Sequence, residues 1–406
     1  MLRCGLLGET LGHSYSPMLH SLLADYEYRL FEVPQDGLSA FLKSDSWDGL
    51  NVTIPYKKAV VPYCDALSEA AEMLQSVNTL VRRPDGTLYG DNTDLYGFLY
   101  MVRKSGIDPA GKKALVLGSG GASVTVKAAL EQLGASVTVI SRNGADNYEH
   151  LDRHADARII VNTTPVGMYP RNGAAAVDLT RFPLCEGVLD IVYNPARTAL
   201  LLQAEALGIP CIGGLSMLTA QAKRACELFT GASLDDGVQE RVERTVDRRL
   251  RNIILIGMPG CGKSTVAKAL GEALGREAVE ADALIAERAG MTIPEIFAQQ
   301  GEDGFRALET AVLAEQGKRS GIILSTGGGC VTRPENYPLL HQNGIIFCLE
   351  RALDKLPTDG RPVSQSTDLA ALYARRKPLY ERFADVTVSN DGPLADTLNA
   401  IMEEYQ

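Results

Sequence analysis

Eight residues at 257–264, GMPGCGKS, hold glycines, a lysine and a hydroxyl at the offsets that phosphate chemistry requires. The glycines let the backbone of Gly260, Cys261 and Gly262 curl around phosphate oxygens. Lys263 neutralises their charge, Ser264 can ligate a Mg²⁺ ion, and Thr265 joins them in binding the nucleotide. This Walker A pattern implies ATP and Mg²⁺ but names no phosphoryl acceptor. Cys261 sits among N–H groups beside Lys263, which predicts thiolate character and sensitivity to thiol reagents.

A second Gly-rich turn, KALVLGSGGAS at 113–123, is a weaker signal. Gly118, Gly120 and Gly121, with Ser119 and Ala122 between and after them, would let a pyrophosphate approach the N–H groups of a following helix. A turn with no ligand is the alternative. The strand-like VTVI at 137–140 ends in Ser141-Arg142, where NAD enzymes usually place an acid. An arginine there suits a 2′-phosphate and predicts NADP(H) over NAD, against the plainer reading of a solvated surface arginine.

Other groups could do chemistry if the fold brought them together. Lys57 follows Pro55 in NVTIPYKK (51–58) and Asp94 ends GDNTD (90–94), so an ammonium and a carboxylate could meet across a cleft. Each alone would be an ordinary surface charge. Ser14 and Ser16 put two hydroxyls on one side of an extended segment, as recognition of a small carboxylate requires. Arg306 and Glu309 share one face of a helical pattern, where the acid can aim the guanidinium at an anion. Glu280 and Asp282 follow a strand-like stretch leading toward the phosphates, and Glu280 with Ser264 makes a candidate Mg²⁺ pair.

Each Gly-rich loop follows an apolar run and precedes a helical pattern, so each needs its own parallel sheet. Between them, DDGVQERVERTVDRRLRN (235–252) is highly charged and reads as a boundary helix or linker. About a hundred residues precede the first loop, with LRCGLLG, YRLFEV and GLNVTI as strands. The 406 residues are 45% hydrophobic and 22% charged, with no bilayer-length apolar run. The start reads as a buried strand rather than a secretory leader. A net charge of −10 argues against a phosphate-backbone-binding surface, so no nucleic-acid partner is expected. Eight scattered cysteines without CxxC spacing fit reduced thiols in a cytoplasmic chain.

In order and spacing, GETLGHSYSPMLH (8–20), NVTIPYKK, SVNTL (76–80), GDNTD, the first Gly loop, NTTPVGM (162–168), DIVYNPARTALL (190–201) and GLSMLTAQA (214–222) resemble the shikimate dehydrogenase family over residues 1 to about 235. GMPGCGKS, EADALIAE (280–287), IPEIFAQQGEDGFRALE (293–309), TGGGCV (326–331), DGRPVS (359–364) and RRKPLYERFAD (375–385) resemble shikimate kinase over 252 to about 390.

The resemblance implies an α/β substrate domain over 1–100, with helices from about 215–240 returning to it, and a Rossmann NADP domain over 101–214. A boundary helix at 235–251 and a P-loop domain like the nucleoside-monophosphate kinases over 252–406 would follow. It makes Lys57 and Asp94 the acid/base pair at the carbonyl that becomes the 3-hydroxyl of shikimate. Lys57 would give a proton or stabilise the developing alkoxide. Thr53, Asn78 and Gln221 would bind substrate hydroxyls, Ser14, Ser16 and Tyr193 the carboxylate, and Asn162, Thr163, Gly214 and Met217 would lie along the cofactor. His13 and His20 resemble structural motif members without a catalytic part.

In the kinase portion, Arg306 and Arg376 would hold the shikimate carboxylate and Asp282 the acceptor hydroxyls, with a candidate base role. Gly327–Gly329, centred on Gly328, would form an acceptor turn, and Arg361 would close over the phosphates from a lid around 353–361. Gln75-Ser76, Ser216 and Glu280 depart from the family patterns. The expected activity is NADPH-dependent reduction of 3-dehydroshikimate followed by MgATP-dependent phosphorylation of shikimate. Only small-molecule partners are expected, no membrane is involved, and a homo-oligomer is left open. A nucleotide-sensing module with decayed catalysis and an enzyme of quinate catabolism are the rival readings.

Overall fold

The computed structural model describes residues 1–12, 14–356 and 369–405. His13 and Arg361 lie outside the described residues. The chain forms two compact units, one of Met1–Gly167, Ala174–Tyr193 and Gln203–Val246, the other of Met168–Gly173, Asn194–Leu202 and Asp247–Gln406. The short segments 168–173 and 194–202 thus cluster with the second unit, a division that the sequence pattern does not announce.

The first unit contains two sheets. One has six strands in the order β2 (Glu27–Glu32), β1 (Arg3–Gly8), β3 (Gly49–Val52), β5 (Thr79–Arg82), β6 (Leu88–Asp91) and β4 (Ala66–Leu67). β1 runs parallel to β2 and β3, whereas β5 is antiparallel to both β3 and β6. Leu7, Leu50, Val52 and Leu80 bury one face against Trp47 and Tyr56. The other sheet is fully parallel, in the order β11 (Cys211–Gly213), β10 (Gly187–Asp190), β9 (Ile159–Asn162), β7 (Lys113–Leu117) and β8 (Ser136–Ile140). Its central strands are continuous apolar runs, as a sheet covered on both faces requires.

After β8 the chain crosses to the opposite side of β7, so the C-terminal ends of β7 and β9 flank a topological switch point, where α/β sheets bind ligands. Relative to the six-stranded dinucleotide order, the strand that would flank β8 is replaced in the chain by the 3₁₀ turn Tyr148–His154.

Helix Thr93–Ser105 leads from the first sheet to the second, and helix Leu215–Thr230 returns along it. A Cβ on Gly97 would lie 2.6 Å from the Met217 carbonyl oxygen, so glycine is what permits this approach. The far end of the returning helix places Phe229 beside Cys4, Tyr26 and Tyr28 under the first sheet.

The charged 235–252 stretch is the helix Asp236–Leu250, and it is less solvated than its composition suggests. Val242 and Val246, four apart on one stripe, are buried, and Gln239 donates to Thr219 Oγ1 at 2.7 Å.

The second unit has one parallel sheet, in the order β13 (Ala278–Glu280), β14 (Ile323–Ser325), β12 (Asn252–Ile256), β15 (Gly344–Glu350) and β16 (Val386–Ser389). β12, NIILI, is wholly buried at its centre. In register, Ser325 pairs with both Leu255 and Glu280, so the phosphate loop, Glu280 and the Thr326-Gly327 turn leave the same edge of the sheet. No helix among the described residues is long and apolar enough to cross a membrane.

Candidate active sites

Lys57 follows β3 in a turn pinned by Thr53 N–H on the Leu7 carbonyl (2.9 Å) and by the buried Tyr56, whose hydroxyl donates to Val33 O (2.5 Å). Asp94 lies in the first turn of helix Thr93–Ser105, where the helix dipole favours an anion. The backbone N–H of Thr93 donates to Asn78 Oδ1 at 2.7 Å, which satisfies one of the helix's open donors. The fold closes the gap of 37 residues to 2.6 Å between Lys57 Nζ and Asp94 Oδ2, with the side chains 30% and 19% exposed. An ammonium and a carboxylate so placed can hand a proton to a substrate oxygen.

Other residues assigned to substrate meet in two groups. Ser14 Oγ and Ser16 Oγ are 3.2 Å apart, and the Tyr15 and Tyr193 rings, with centroids 5.5 Å apart, bring Tyr193 to that segment. Burial raises the Tyr193 phenol above its ordinary range. Gln221 Oε1 is 3.5 Å from Thr93 Oγ1, one residue from Asp94. Gln75 ends helix Glu69–Leu74 with φ 48°, left-handed where glycine would be unstrained, and its amide donates to Glu72 O at 2.8 Å. The departure from the family pattern therefore keeps the turn. Ser216 is 1% exposed and its hydroxyl has no partner.

At the switch point, Gly118 has φ 103° and presses against Thr164, whereas Gly120 and Gly121 face open space at the start of helix Gly121–Gln132. Bare backbone N–H groups at a helix N-terminus fit a dinucleotide pyrophosphate. Arg142 is exposed after β8, close enough for its charge to oppose the burial that raises the Tyr148 phenol.

Three residues expected along the cofactor are also hydrogen-bonded within the crevice wall. Asn162 is 1% exposed, donates to Asp190 Oδ1 (2.9 Å) and accepts from Thr164 N–H (3.0 Å) and its hydroxyl (2.7 Å). Thr163 donates to Leu117 O (2.7 Å), and Gly214 N–H to Val192 O (3.0 Å).

In the second unit, the phosphate loop opens into a cavity of about 510 Å³. Gly257, Gly260 and Gly262 take φ 140°, 88° and 99°, conformations open to glycine. Lys263 Nζ donates to Gly257 O and Met258 O, both at 3.0 Å. Asn390, which no motif singles out, clasps the loop by donating to Cys261 O at 2.6 Å. The Cys261 side chain is 0% exposed, with its sulfur against Gly257, so the reagent access expected of this thiol is not available.

Ser264 Oγ donates to Glu280 Oε2 at 2.8 Å. Among the described residues there is no group of three or more His, Cys, Asp or Glu that could hold a metal. A hydroxyl with one carboxylate fits Mg²⁺, which keeps several waters and takes further oxygens from phosphates. β13 ends at Glu280, and Asp282 lies in the first turn of helix Ala281–Ala289. The two side chains leave different backbone conformations yet line one cavity.

The same cavity reaches Arg306, which is 5% exposed. Arg306 Nη1 donates to Glu309 Oε2 at 2.7 Å and Nη2 to Glu302 Oε1 at 3.2 Å. Burial works against the guanidinium's charge, but the two acids outweigh it and raise its pKa. Burial, joined by the Asp282 charge, pushes the Glu309 carboxyl up against the pull of Arg306. Arg376, 1% exposed, donates to Gly328 O at 3.1 Å, and Tyr380, absent from the sequence-based site, donates to the same carbonyl. A Cβ on Gly327 would lie 2.5 Å from Glu309 Oε1, one on Gly328 2.7 Å from Pro259 Cδ, and one on Gly329 inside the Arg306 guanidinium.

The two crevices define a class: an NADP-dependent oxidoreductase followed by a P-loop phosphotransferase. Residues 6–80 match the shikimate dehydrogenase substrate binding domain family, and residues 259–406 match the shikimate kinase family. An NADP(+) shikimate dehydrogenase from Clostridium perfringens is 35% identical over 260 residues, covering 59% of this chain and 96% of that protein. One from Oleidesulfovibrio alaskensis is 40% identical over 255 residues, covering 57% and 90%. Among solved structures, a chorismate mutase/shikimate 5-dehydrogenase fusion protein from Clostridium acetobutylicum aligns with TM-score 0.58 at 32% identity, covering 61% of this chain and 97% of that one. The shikimate 5-dehydrogenase of Thermus thermophilus, in complex with NADP(H) and shikimate, aligns with TM-score 0.55 at 33% identity, covering 60% and 99%. The chain belongs to the shikimate dehydrogenase family over its first part and carries a shikimate kinase domain after it, which makes it a bifunctional enzyme of the shikimate pathway.

Proposed function

We propose that the first unit reduces 3-dehydroshikimate to shikimate with NADPH and that the second phosphorylates shikimate to shikimate 3-phosphate with MgATP. The observation that carries the reading is the cavity of the second unit, which joins a phosphate loop to two buried arginines suited to a small carboxylate. The first unit's product is such an acid. Purified protein given dehydroshikimate, NADPH and MgATP should yield shikimate 3-phosphate; absence of either half-reaction would remove that half of the assignment.

In the reductase, the bound cofactor supplies the hydride. Lys57 donates a proton to the carbonyl oxygen as it gains negative charge, and Asp94, 2.6 Å away, aims the ammonium. Ser14, Ser16 and Tyr193 take the carboxylate, and Thr53, Asn78 and Gln221 the hydroxyls. In the kinase, MgATP supplies the phosphoryl group. Asp282 receives the acceptor hydroxyl's proton, Arg306 and Arg376 anchor the carboxylate, and Lys263 leaves its loop carbonyls for the phosphates. The substrate domain is assigned to 1–100 with the returning helix, the NADP domain to 101–214 and the kinase to 252–406. Eight free cysteines support a reducing cytoplasmic setting.

Two expected results test individual roles. Arg142→Ala should raise KM for NADPH by roughly tenfold and leave KM for NADH nearly unchanged, since only the former carries the 2′-phosphate. Equal effects would make Arg142 a surface charge. Glu280→Ala should raise the free Mg²⁺ needed for half-maximal phosphorylation several-fold without altering reduction. An unmoved Mg²⁺ titration at full activity would place Glu280 outside the metal shell.

A further inference from the structure

Behind Lys57 and Asp94 runs a buried chain of hydrogen bonds that ends on Asn78 and Gln221 and begins on residues the reaction derived above does not use. It begins at Tyr28 on β2, whose hydroxyl lies 2.7 Å from Asn51 Oδ1 on β3. Asn51 Nδ2 is 3.4 Å from Thr79 Oγ1 on β5, and Thr79 Oγ1 is 3.1 Å from Asn78 Oδ1. Asn78 Nδ2 is 3.1 Å from Thr93 Oγ1, which lies 3.5 Å from Gln221 Oε1. Asn51, Asn78, Thr79 and Thr93 are all buried, so their polar groups must satisfy one another.

One fixed donor sets the direction of the links from Tyr28 to Asn78. The backbone N–H of Thr93 can only donate, and it does so to Asn78 Oδ1. That leaves the Asn78 NH₂ as the donor to Thr93 Oγ1. Thr79 has one proton, which goes to the same Asn78 oxygen, so Thr79 accepts from the Asn51 NH₂. Asn51 Oδ1 is then an acceptor, and Tyr28 must donate to it. At the other end, Thr93 Oγ1 accepts from Asn78 Nδ2, and its own proton has Asn78 Oδ1 at 3.2 Å, Thr79 Oγ1 at 3.3 Å and Gln221 Oε1 at 3.5 Å within reach. With Asn78 Oδ1 already accepting from Thr93 N–H and Thr79, donation to Gln221 spares that oxygen a third donor and leaves the Gln221 NH₂ for substrate.

The start of the chain is held in place. His20, 1% exposed, stacks on the Tyr28 ring with centroids 4.0 Å apart at 11°, and its Nδ1 meets the Tyr26 hydroxyl at 2.5 Å. Burial drives the imidazole down to about 3, so it stays neutral across the working range.

We propose that Tyr28, packed by His20 and acting through Asn51 and Thr79, is a positioning residue of the reductase. Through Asn51 it keeps the Thr79 proton on Asn78 Oδ1, which already accepts from the Thr93 N–H, so that the Thr93 hydroxyl turns to Gln221 and Gln221 offers a hydrogen-bond donor to a substrate hydroxyl. The inference rests on the placement of Gln221 at the substrate given above.

A double-mutant cycle tests it. Tyr28→Phe, which keeps the ring, should raise KM for dehydroshikimate roughly tenfold, with KM for NADPH and the kinase activity of the same chain unchanged. Made in a Gln221→Ala background, Tyr28→Phe should add less than about a twofold further effect, because the amide it orients is gone. Thr79→Val cuts the chain at its second link without touching Tyr28 and should behave identically; it carries the test if Tyr28→Phe perturbs folding. Multiplicative effects of the Tyr28 and Gln221 changes, or an equal rise in KM for NADPH, would overturn the proposal. The parent chain's turnover of dehydroshikimate is the reference that separates failure of the reductase reading from failure of the relay.

Discussion

Lys57→Ala is expected to cut kcat/KM for dehydroshikimate by roughly 10²–10⁴-fold, the range that a positioned proton donor contributes. Phosphorylation of added shikimate by the same variant should proceed at the parent rate, because Lys57 and the phosphate loop belong to different compact units. The loss should appear in kcat more than in KM, since the ammonium's interaction strengthens as charge develops on the oxygen. Asp94→Asn should lower kcat by less: it removes the charge 2.6 Å from Nζ but keeps a hydrogen-bond acceptor there. Steady-state kinetics of both half-reactions decide the matter, and full reductase turnover in Lys57→Ala would end the proton-donor assignment.

The second large effect is expected at Arg306. Its partner Glu309 has a fully buried side chain, and removing one member of a buried ion pair costs about 3–5 kcal/mol because the other charge is left without compensation. Arg306→Ala should therefore destabilise the second unit and also lower kcat/KM for shikimate roughly 10- to 150-fold, the equivalent of one hydrogen bond to a charged group.

The stability loss should depend on pH in a definite direction. Burial already raises the Glu309 carboxyl above its ordinary 4.5, and losing Arg306 raises it further. A carboxyl raised in the folded state binds more protons folded than unfolded, so stability falls as pH climbs from 4.5 through the folded value. The variant's deficit against the parent should be small near pH 4.5 and should grow as pH rises, as read by denaturant unfolding. A deficit that shrinks with rising pH would contradict the buried-pair account.

Much of the site could be read before any fold was available, and the reason is chemical. Lys57, Asp94, Lys263, Arg306 and Glu309 are charged, sit in short patterned segments and have few roles open to them. The phosphate loop declared itself through glycines whose φ values, 140° and 99° at Gly257 and Gly262, admit little else. What stayed hidden was made of neutral groups whose importance lies only in contact. Tyr28, Asn51 and Thr79 come from three strands of one sheet, and their side chains meet only because β1 brings β2 and β3 together while β5 pairs with β3. Asn390 reaches Cys261 across 129 residues. Asn162 and Asp190 are cross-strand partners in register, a brace that no sequence motif announces. The charged helix Asp236–Leu250 was legible as a helix, but its buried valine stripe emerges only from a period-four reading of a mostly polar stretch.

The turn Gly327–Gly329 carries a consequence for anyone who would broaden the acceptor range of the kinase by random mutagenesis. At each of its three positions the volume of a methyl group is already occupied, by Glu309 and Asp282, by Pro259 and by Arg306 in succession. A saturation library there should return glycine almost exclusively among active clones, with alanine already scored as a loss. Diversity is better directed at Ile293, Pro294 and Phe297, which line the same cavity. Those positions can trade shape for shape, whereas the turn has nothing left to give.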